Sequence, residues 1–309
     1  MTAADLFSGV FNITPTPFRA DGSLDVDSVA TLTRFTIDRG VQGMTILGVL
    51  GEADKLTEAE RDEVITRTLE AAGGRIPVCV GASHAGTDGC VAFSRRAVAL
   101  GASAVMVAPP KLARSADAPL RRHYLSVADA VDCPIVVQDH PTNSGVFMSV
   151  EFIAKLGDEA PNCRFVKAED EPSPMKIGQL LAANPRLRIV GGLGGNMLLE
   201  ELRRGAVGTM TGFGFPEILV QICQAWAAGN QDEAARIFYR YCPLIRFENQ
   251  PRVNLALRKH LYHLRGAIAS PRARRPVLEP DPGTLADLQD LLARLSLTDR
   301  LVPTTASRT

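Results

Sequence analysis

The sequence predicts an α/β fold, a (β/α)₈ TIM barrel with a C-terminal helical appendage, on three observations. Short apolar runs recur roughly every 25 to 30 residues, and a stretch of helical periodicity follows each. Eight such runs are counted before the pattern turns wholly helical. The chain of 309 residues has room for one barrel of about 250 residues and an extension.

Taken in order, the strands are expected at residues 9–14, 43–48, 77–82, 104–108, 134–138, 163–167, 188–191 and 208–211. They are nearly continuous in apolar residues, as a parallel sheet demands when helices cover one face and side chains fill the other. Intervening helices are expected at 58–71, 88–100 and 116–130, the first with a capped start at Thr57-Glu58-Ala59-Glu60. An open doubly wound sheet is the alternative, but no GxGxxG follows the first strand and no GxxxxGK[ST] occurs. Residues 1–228 are therefore read as the barrel and 229–309 as the helical region. Helix 216–227 closes the barrel, and 231–245, 254–265 and 284–294 follow, with a proline-rich linker at 271–282. The polar tail from 298 to 309 is expected to fray.

Lys plus Arg balance Asp plus Glu at 34 each, which removes the basic footprint of a nucleic-acid binder. The one basic cluster, Arg272, Arg274 and Arg275, is read as a solvated loop or an oligomer contact. Six cysteines form no CxxC pair and sit mostly in apolar runs, the pattern of free thiols in a reducing compartment. The first ten residues lack a basic start, and no apolar run approaches the ~20 residues of a membrane span. A cytoplasmic protein with no membrane association is expected.

A barrel carries its active site at the C-terminal ends of its strands. Polar residues ending the runs are Thr14, Thr16, Glu52, Ser83, His84, Gln138, Asp139, Lys167, Glu169 and Thr211. Phe165-Val166 leads directly into Lys167, and an ammonium there must find a counter-charge or lose its proton. A lysine that loses it becomes the amine that attacks a ketone. A structural ion pair with Glu169 or Asp170 is the competing reading. The loop Gly191-Gly192-Leu193-Gly194-Gly195 is either a place of close backbone approach to an anion or a turn. His123 and the His260/His263 pair fall on helices without a carboxylate or thiolate at ligand spacing, so no metal site is expected.

Several segments together carry a resemblance. They are Thr14-Pro15-Thr16-Pro17-Phe18 with Asp21-Gly22, Gly48-Val49-Leu50-Gly51-Glu52, Gly73-Gly74-Arg75-Ile76-Pro77-Val78, Gly101-Ala102, Pro134-Ile135-Val136-Val137 before Pro141, and Phe165-Val166-Lys167. In this order they resemble the dihydrodipicolinate synthase and N-acetylneuraminate lyase superfamily over residues 9–295. The resemblance implies that Lys167 is a Schiff-base lysine and that the loop from Gly48 through Val49 and Leu50 to Glu52 holds a substrate carboxylate with its backbone N–H groups. It implies a small-molecule 2-keto acid as substrate, no cofactor, and a homo-oligomer, a tetramer or a dimer.

The departures narrow the activity. Where the superfamily loop usually carries two hydroxyl residues this chain has Val49 and Leu50, and Gln138 stands at the strand-5 tyrosine. Asn143 replaces the arginine for an aldehyde partner, and Pro110-Lys111 replaces the paired tyrosines. Dihydrodipicolinate synthesis is not expected. Val137-Gln138-Asp139-His140-Pro141, Lys167-Ala168-Glu169, Thr209-Met210-Thr211-Gly212, Glu248-Asn249 and Gly266-Ala267-Ile268-Ala269-Ser270 resemble instead the 2-keto-3-deoxy-L-arabonate dehydratases.

A dehydratase needs an electron sink, a base for the C3 proton and an acid for the departing C4 hydroxyl. Glu169, two residues past Lys167, shares its side of the strand and is the first candidate; a salt bridge to Lys167 is its structural alternative. Gln138 points inward and can only orient a hydroxyl or water. His84 is a candidate proton shuttle or a plain loop histidine. Asp139 points the other way, as a substrate contact or a structural group, and Glu52 is expected to lock its loop. Gly192, Met210 and Thr211 complete the expected substrate contacts. Three functions follow: a sugar-acid dehydratase, a pyruvate-releasing aldolase, and a non-catalytic binder of small acids.

Overall fold

Eight parallel strands close into a barrel, each hydrogen-bonded to its successor and the last to the first. In the computed structural model, which describes residues 7–111 and 117–302, they are β1 Gly9–Ile13, β2 Gly43–Ile46, β3 Val78–Gly81, β4 Ala104–Val107, β5 Ile135–Asp139, β6 Phe165–Ala168, β7 Arg188–Gly191 and β8 Gly208–Thr211. Each lies inside or within one residue of its expected run. Pro77 and Pro134 sit just before their strands, where a residue that cannot donate to the ladder is tolerated. β6 starts two residues later than expected because Pro161–Cys163 winds into a 3₁₀ turn.

The helices are α1 Val26–Asp38, α2 Glu58–Ala72, α3 Thr87–Leu100, α4 Asp117–Ala128, α5 Pro141–Ser144, α6 Val150–Glu159, α7 Ser173–Ala183, α8 Leu198–Arg203, α9 Pro216–Ala227, α10 Gln231–Glu248, α11 Asn254–Leu264 and α12 Pro282–Arg294. The predicted cap of α2 is present as a full capping box between Thr57 and Glu60. The expected start of the fourth helix at residue 116 and the tail beyond 302 lie outside the described residues.

Strand side chains alternate between barrel interior and helical shell. Phe11, Cys79, Ala104, Met106, Val136, Phe165, Val190 and Met210 form one cluster inside, closed below by Phe7. Their strand neighbours, among them Val80, Val105, Val137, Val166 and Ile189, pack outward against the helices. The phase fixes which strand-end residues face the mouth: Gln138 follows Val136, and Lys167 follows Phe165.

The C-terminal helices share a core with the barrel's closing segment, where Phe238, Tyr241, Leu244 and Leu257 meet Leu198, Phe213 and Ile218. The helix expected to end at 245 continues to Glu248, whose buried carboxylate accepts the Gly214 N–H at 2.8 Å. Arg274 is neither solvated nor, within this chain, left for a partner: it pairs with Glu60 and donates to Lys55 O and Gly22 O, stitching the 271–282 linker to the barrel. All six cysteines are free, four of them buried and Cys133 and Cys242 half-buried. Among the described residues no helix is long and apolar enough to cross a membrane.

Candidate active site

β5 and β6 pair in a register that sets Gln138 beside Lys167. The inward phase carries both to the mouth of the barrel, where a cavity of about 610 Å³ opens. The ladder persists one step past β6, since the Glu169 N–H donates to Asp139 O at 2.8 Å. Glu169 therefore keeps the phase of Lys167, and its Oε2 stands 2.7 Å from Lys167 Nζ, with both side chains almost wholly buried.

Three further groups fix that carboxylate. Gln138 Nε2 donates to the same Oε2 at 2.9 Å, and His140 Nδ1 lies 3.7 Å from it. The Leu193 N–H donates to Oε1 at 3.3 Å. The glycine loop can come this close because Gly192 has no side chain: a β-carbon there would lie 2.5 Å from Glu169 Cγ. Burial works to raise the Glu169 carboxyl, but the Lys167 ammonium, His140 and the Gln138 bond outweigh it and hold the group below its ordinary value. Burial also lowers the His140 imidazole, against the pull of Glu169.

Across the mouth, Val49–Gly51 makes a 3₁₀ turn after Gly48, and Glu52 ends it in the left-handed region at φ 53°. Thr16 Oγ1 holds the turn through Gly51 O at 2.6 Å. Turn geometry leaves the first N–H groups without acceptors. Among the described residues nothing accepts from the amides of Val49 and Leu50, and both residues line the cavity. Two adjacent N–H donors left open in this way suit a carboxylate.

Thr211 lines the cavity and fixes the glycine loop by accepting the Gly194 N–H at 2.9 Å. Ile13 and Met106 form an apolar wall, and Arg246, Asn249, Asn254 and Arg258 of α10–α11 form the roof. The Asn249 amide closes roof onto loop by donating to Leu193 O at 2.9 Å.

Six expected site residues lie off the cavity. His84 is exposed on the loop after β3, its Nδ1 engaged with Gly86. β3 ends at Gly81, and the chain turns outward toward α3 before His84 is reached. Asp139, one residue out of phase, faces the helical shell and pairs with Lys176 at 2.6 Å, which also bonds Asp170. Burial, opposed by Lys176, pushes Asp139 up to about 6. Met210 is inside the barrel in the layer beneath the site. Gly192 serves Glu169 from behind, and Gly48 N-caps the 3₁₀ turn without lining the cavity. Glu52, the sixth, is buried and takes Lys259 on Oε1, and Lys55 and the Arg274 N–H on Oε2, contacts that tie its loop to α11 and to the 271–282 linker.

Sequence reasoning missed His140, although it lies two residues past Gln138 and the count that found Glu169 would have found it. The roof residues Arg246, Asn254 and Arg258 offered no such signal.

The pattern of the Dihydrodipicolinate synthetase family matches residues 6–295. The chain is 38% identical over 294 residues to an L-2-keto-3-deoxyarabonate dehydratase of Azospirillum brasilense, covering 93% of this chain and 94% of that protein. It is 40% identical over 160 residues to a 4-hydroxy-tetrahydrodipicolinate synthase of Stenotrophomonas maltophilia, covering 52% of this chain and 54% of that one. A dihydrodipicolinate synthase structure from Rhodopseudomonas palustris superposes with a TM-score of 0.89 at 35% identity, over 95% of this chain and 99% of the other.

Proposed function

The chain belongs to the dihydrodipicolinate synthetase family of lyases, and on that premise we propose that it dehydrates a 2-keto-3-deoxy sugar acid, such as 2-keto-3-deoxy-L-arabonate, through a Schiff base on Lys167. The observation that carries this reading is the buried contact of Lys167 Nζ with Glu169 Oε2 at the cavity floor. An amine and a carboxylate held together at 2.7 Å can pass a proton between them without solvent. Glu169 takes the ammonium proton, and the free amine attacks the C2 carbonyl. Glu169 returns that proton to the carbinolamine hydroxyl, which leaves as water, and the imine that forms draws electrons from C3. Glu169 then removes a C3 proton, and the C4 hydroxyl departs as water by taking a proton back. Hydrolysis of the imine returns Lys167.

In this reading Gln138 orients Glu169, the Val49 and Leu50 amides hold the C1 carboxylate, and Thr211 fixes the glycine loop. Asp139, Glu52 and Gly192 support these groups from behind, and His84 has no part. Cleavage of the C3–C4 bond is the second reading, because the same carboxylate could take the C4 hydroxyl proton instead and release pyruvate. A cytoplasmic homo-oligomer belongs to the proposal too, supported by the free thiols and by the exposed apolar Phe147 and Met175 that a second copy would cover.

Product analysis over a panel of 2-keto-3-deoxy sugar acids tests the function. Dehydration yields one product with the full carbon chain, the 3,4-unsaturated 2-keto acid or the 2,5-dioxo acid to which it tautomerises, whereas cleavage yields pyruvate and an aldehyde. Two fragments from the best substrate would replace the first reading by the second.

A further inference from the structure

The C-terminal helices contribute a buried guanidinium to the cavity that no step above uses. Arg258 of α11 is 1% exposed, yet it lines the cavity. Its Nε is bonded to the buried Glu248, which is itself held by the Gly214 N–H. Its Nη2 is buried and, among the described residues, has no acceptor. A charged donor sealed from water without an oxygen is costly, so a structure that keeps one is arranged for an acceptor that arrives with a ligand.

The position of Arg258 says which part of the ligand that is. A β-carbon added to Gly212, at the end of β8, would lie 2.9 Å from Leu50 Cδ1 and 3.0 Å from Arg258 Cδ. The arginine stem and the Leu50 side chain thus converge on one glycine, so this part of the roof comes down beside the Val49–Gly51 turn, and all three residues Val49, Leu50 and Arg258 line the cavity. Those two residues have apolar side chains, so the turn itself offers a carboxylate only backbone donors, while a carboxylate has about four lone-pair sites to satisfy. Glu248 neutralises and orients the arginine through Nε, leaving the other edge of its planar fork for a second oxygen acid.

Resting on the proposed 2-keto acid chemistry, we propose that Arg258, oriented by Glu248, is a binding residue for the substrate's C1 carboxylate. The turn amides and the guanidinium grip it from two sides, and the site thereby prefers a 2-keto acid over the corresponding ester or ketone.

The test is equilibrium titration of the full-length protein with pyruvate and with methyl pyruvate, which differ in the carboxylate charge. The double variant Arg258→Met/Glu248→Gln removes both buried charges together, so neither is left unpaired. Wild type is expected to favour pyruvate, and the double variant to lose about 10- to 100-fold of pyruvate affinity with methyl pyruvate unchanged. If that variant does not fold, Arg258→Lys keeps a counter-charge for Glu248 and is expected to weaken pyruvate alone. Equal binding of acid and ester by wild type, an unchanged preference in a folded variant, or equal weakening of both ligands would overturn the proposal. Borohydride trapping in the same samples reports separately on Lys167: acid preference without trapping would sustain Arg258 and remove the Schiff base.

Discussion

Gln138 and Glu169 meet on one oxygen: Gln138 Nε2 donates to Glu169 Oε2 at 2.9 Å, the same atom that stands 2.7 Å from Lys167 Nζ. An amide cannot titrate, so it is a fixed donor that aims a carboxylate without competing for its proton. In the proposed mechanism the proton traffic of the site rests on Lys167 and Glu169, with Gln138 setting where the carboxylate points.

Glu169→Gln keeps the shape and removes the titrating group. We expect kcat to fall by about 10² to 10⁴ while imine trapping still goes to completion, more slowly because the lysine proton must then leave to solvent, which separates Schiff-base formation from elimination. A variant that dehydrates its best substrate at a near wild-type rate sinks the role. His140, 3.7 Å from the same oxygen, would then be the next candidate.

Gln138→Leu removes one of the interactions that lower the Glu169 carboxyl. The folded-state value must rise, so the carboxylate form is lost at a higher pH than in wild type. The acid limb of the kcat profile is expected to move to higher pH, with kcat at its plateau reduced about tenfold or less. An acid limb that stays in place would show that the limb does not report Glu169.

The Lys259–Glu52 pair joins the roof helix to the residue that ends the Val49–Gly51 turn across 207 residues of sequence. Burial lowers Lys259 to about 8, opposed by Glu52. Lys259→Met leaves a buried carboxylate with Lys55 and one N–H, and is expected to cost about 2 to 4 kcal/mol of stability and to raise KM more than it lowers kcat. Thermal unfolding and steady-state kinetics check it. Full stability with an unchanged KM would mean that the turn holds its shape without the lock.

Glu201 of α8 is fully buried behind the glycine loop, accepts the Ser173 hydroxyl at 2.7 Å, and is pushed by burial up to about 7. A carboxyl raised on folding binds its proton more tightly in the native state, so its contribution favours folding at low pH and is lost as pH rises from about 4.5 to about 7. Glu201→Gln, permanently neutral, is expected to flatten stability across that window and to gain roughly 1 to 3 kcal/mol on wild type above it. Parallel stability–pH curves for the two proteins would contradict the assignment.

The barrel was legible because alternation of apolar runs with helical periodicity has few other solutions, and the two-residue phase placed Gln138, Lys167 and Glu169 together. The same phase, carried on to β8, would have put Met210 inside the core, and it did place Asp139 on the outer face. It failed at His84, because side-chain alternation lapses where β3 ends at Gly81. The roof was not legible: Arg258 is one polar residue on a helix between Leu257 and Leu261, and only the folding of α10–α11 over the mouth turns it inward.

Lys167 is the covalent nucleophile of the proposed reaction, and the most direct measurement of that role is peptide mapping by mass spectrometry after borohydride reduction with a 2-keto acid. One adduct on the Lys167 peptide is expected, with none in a folded Lys167→Ala variant that has also lost turnover. An adduct on another lysine, or turnover that survives in Lys167→Ala, would contradict it.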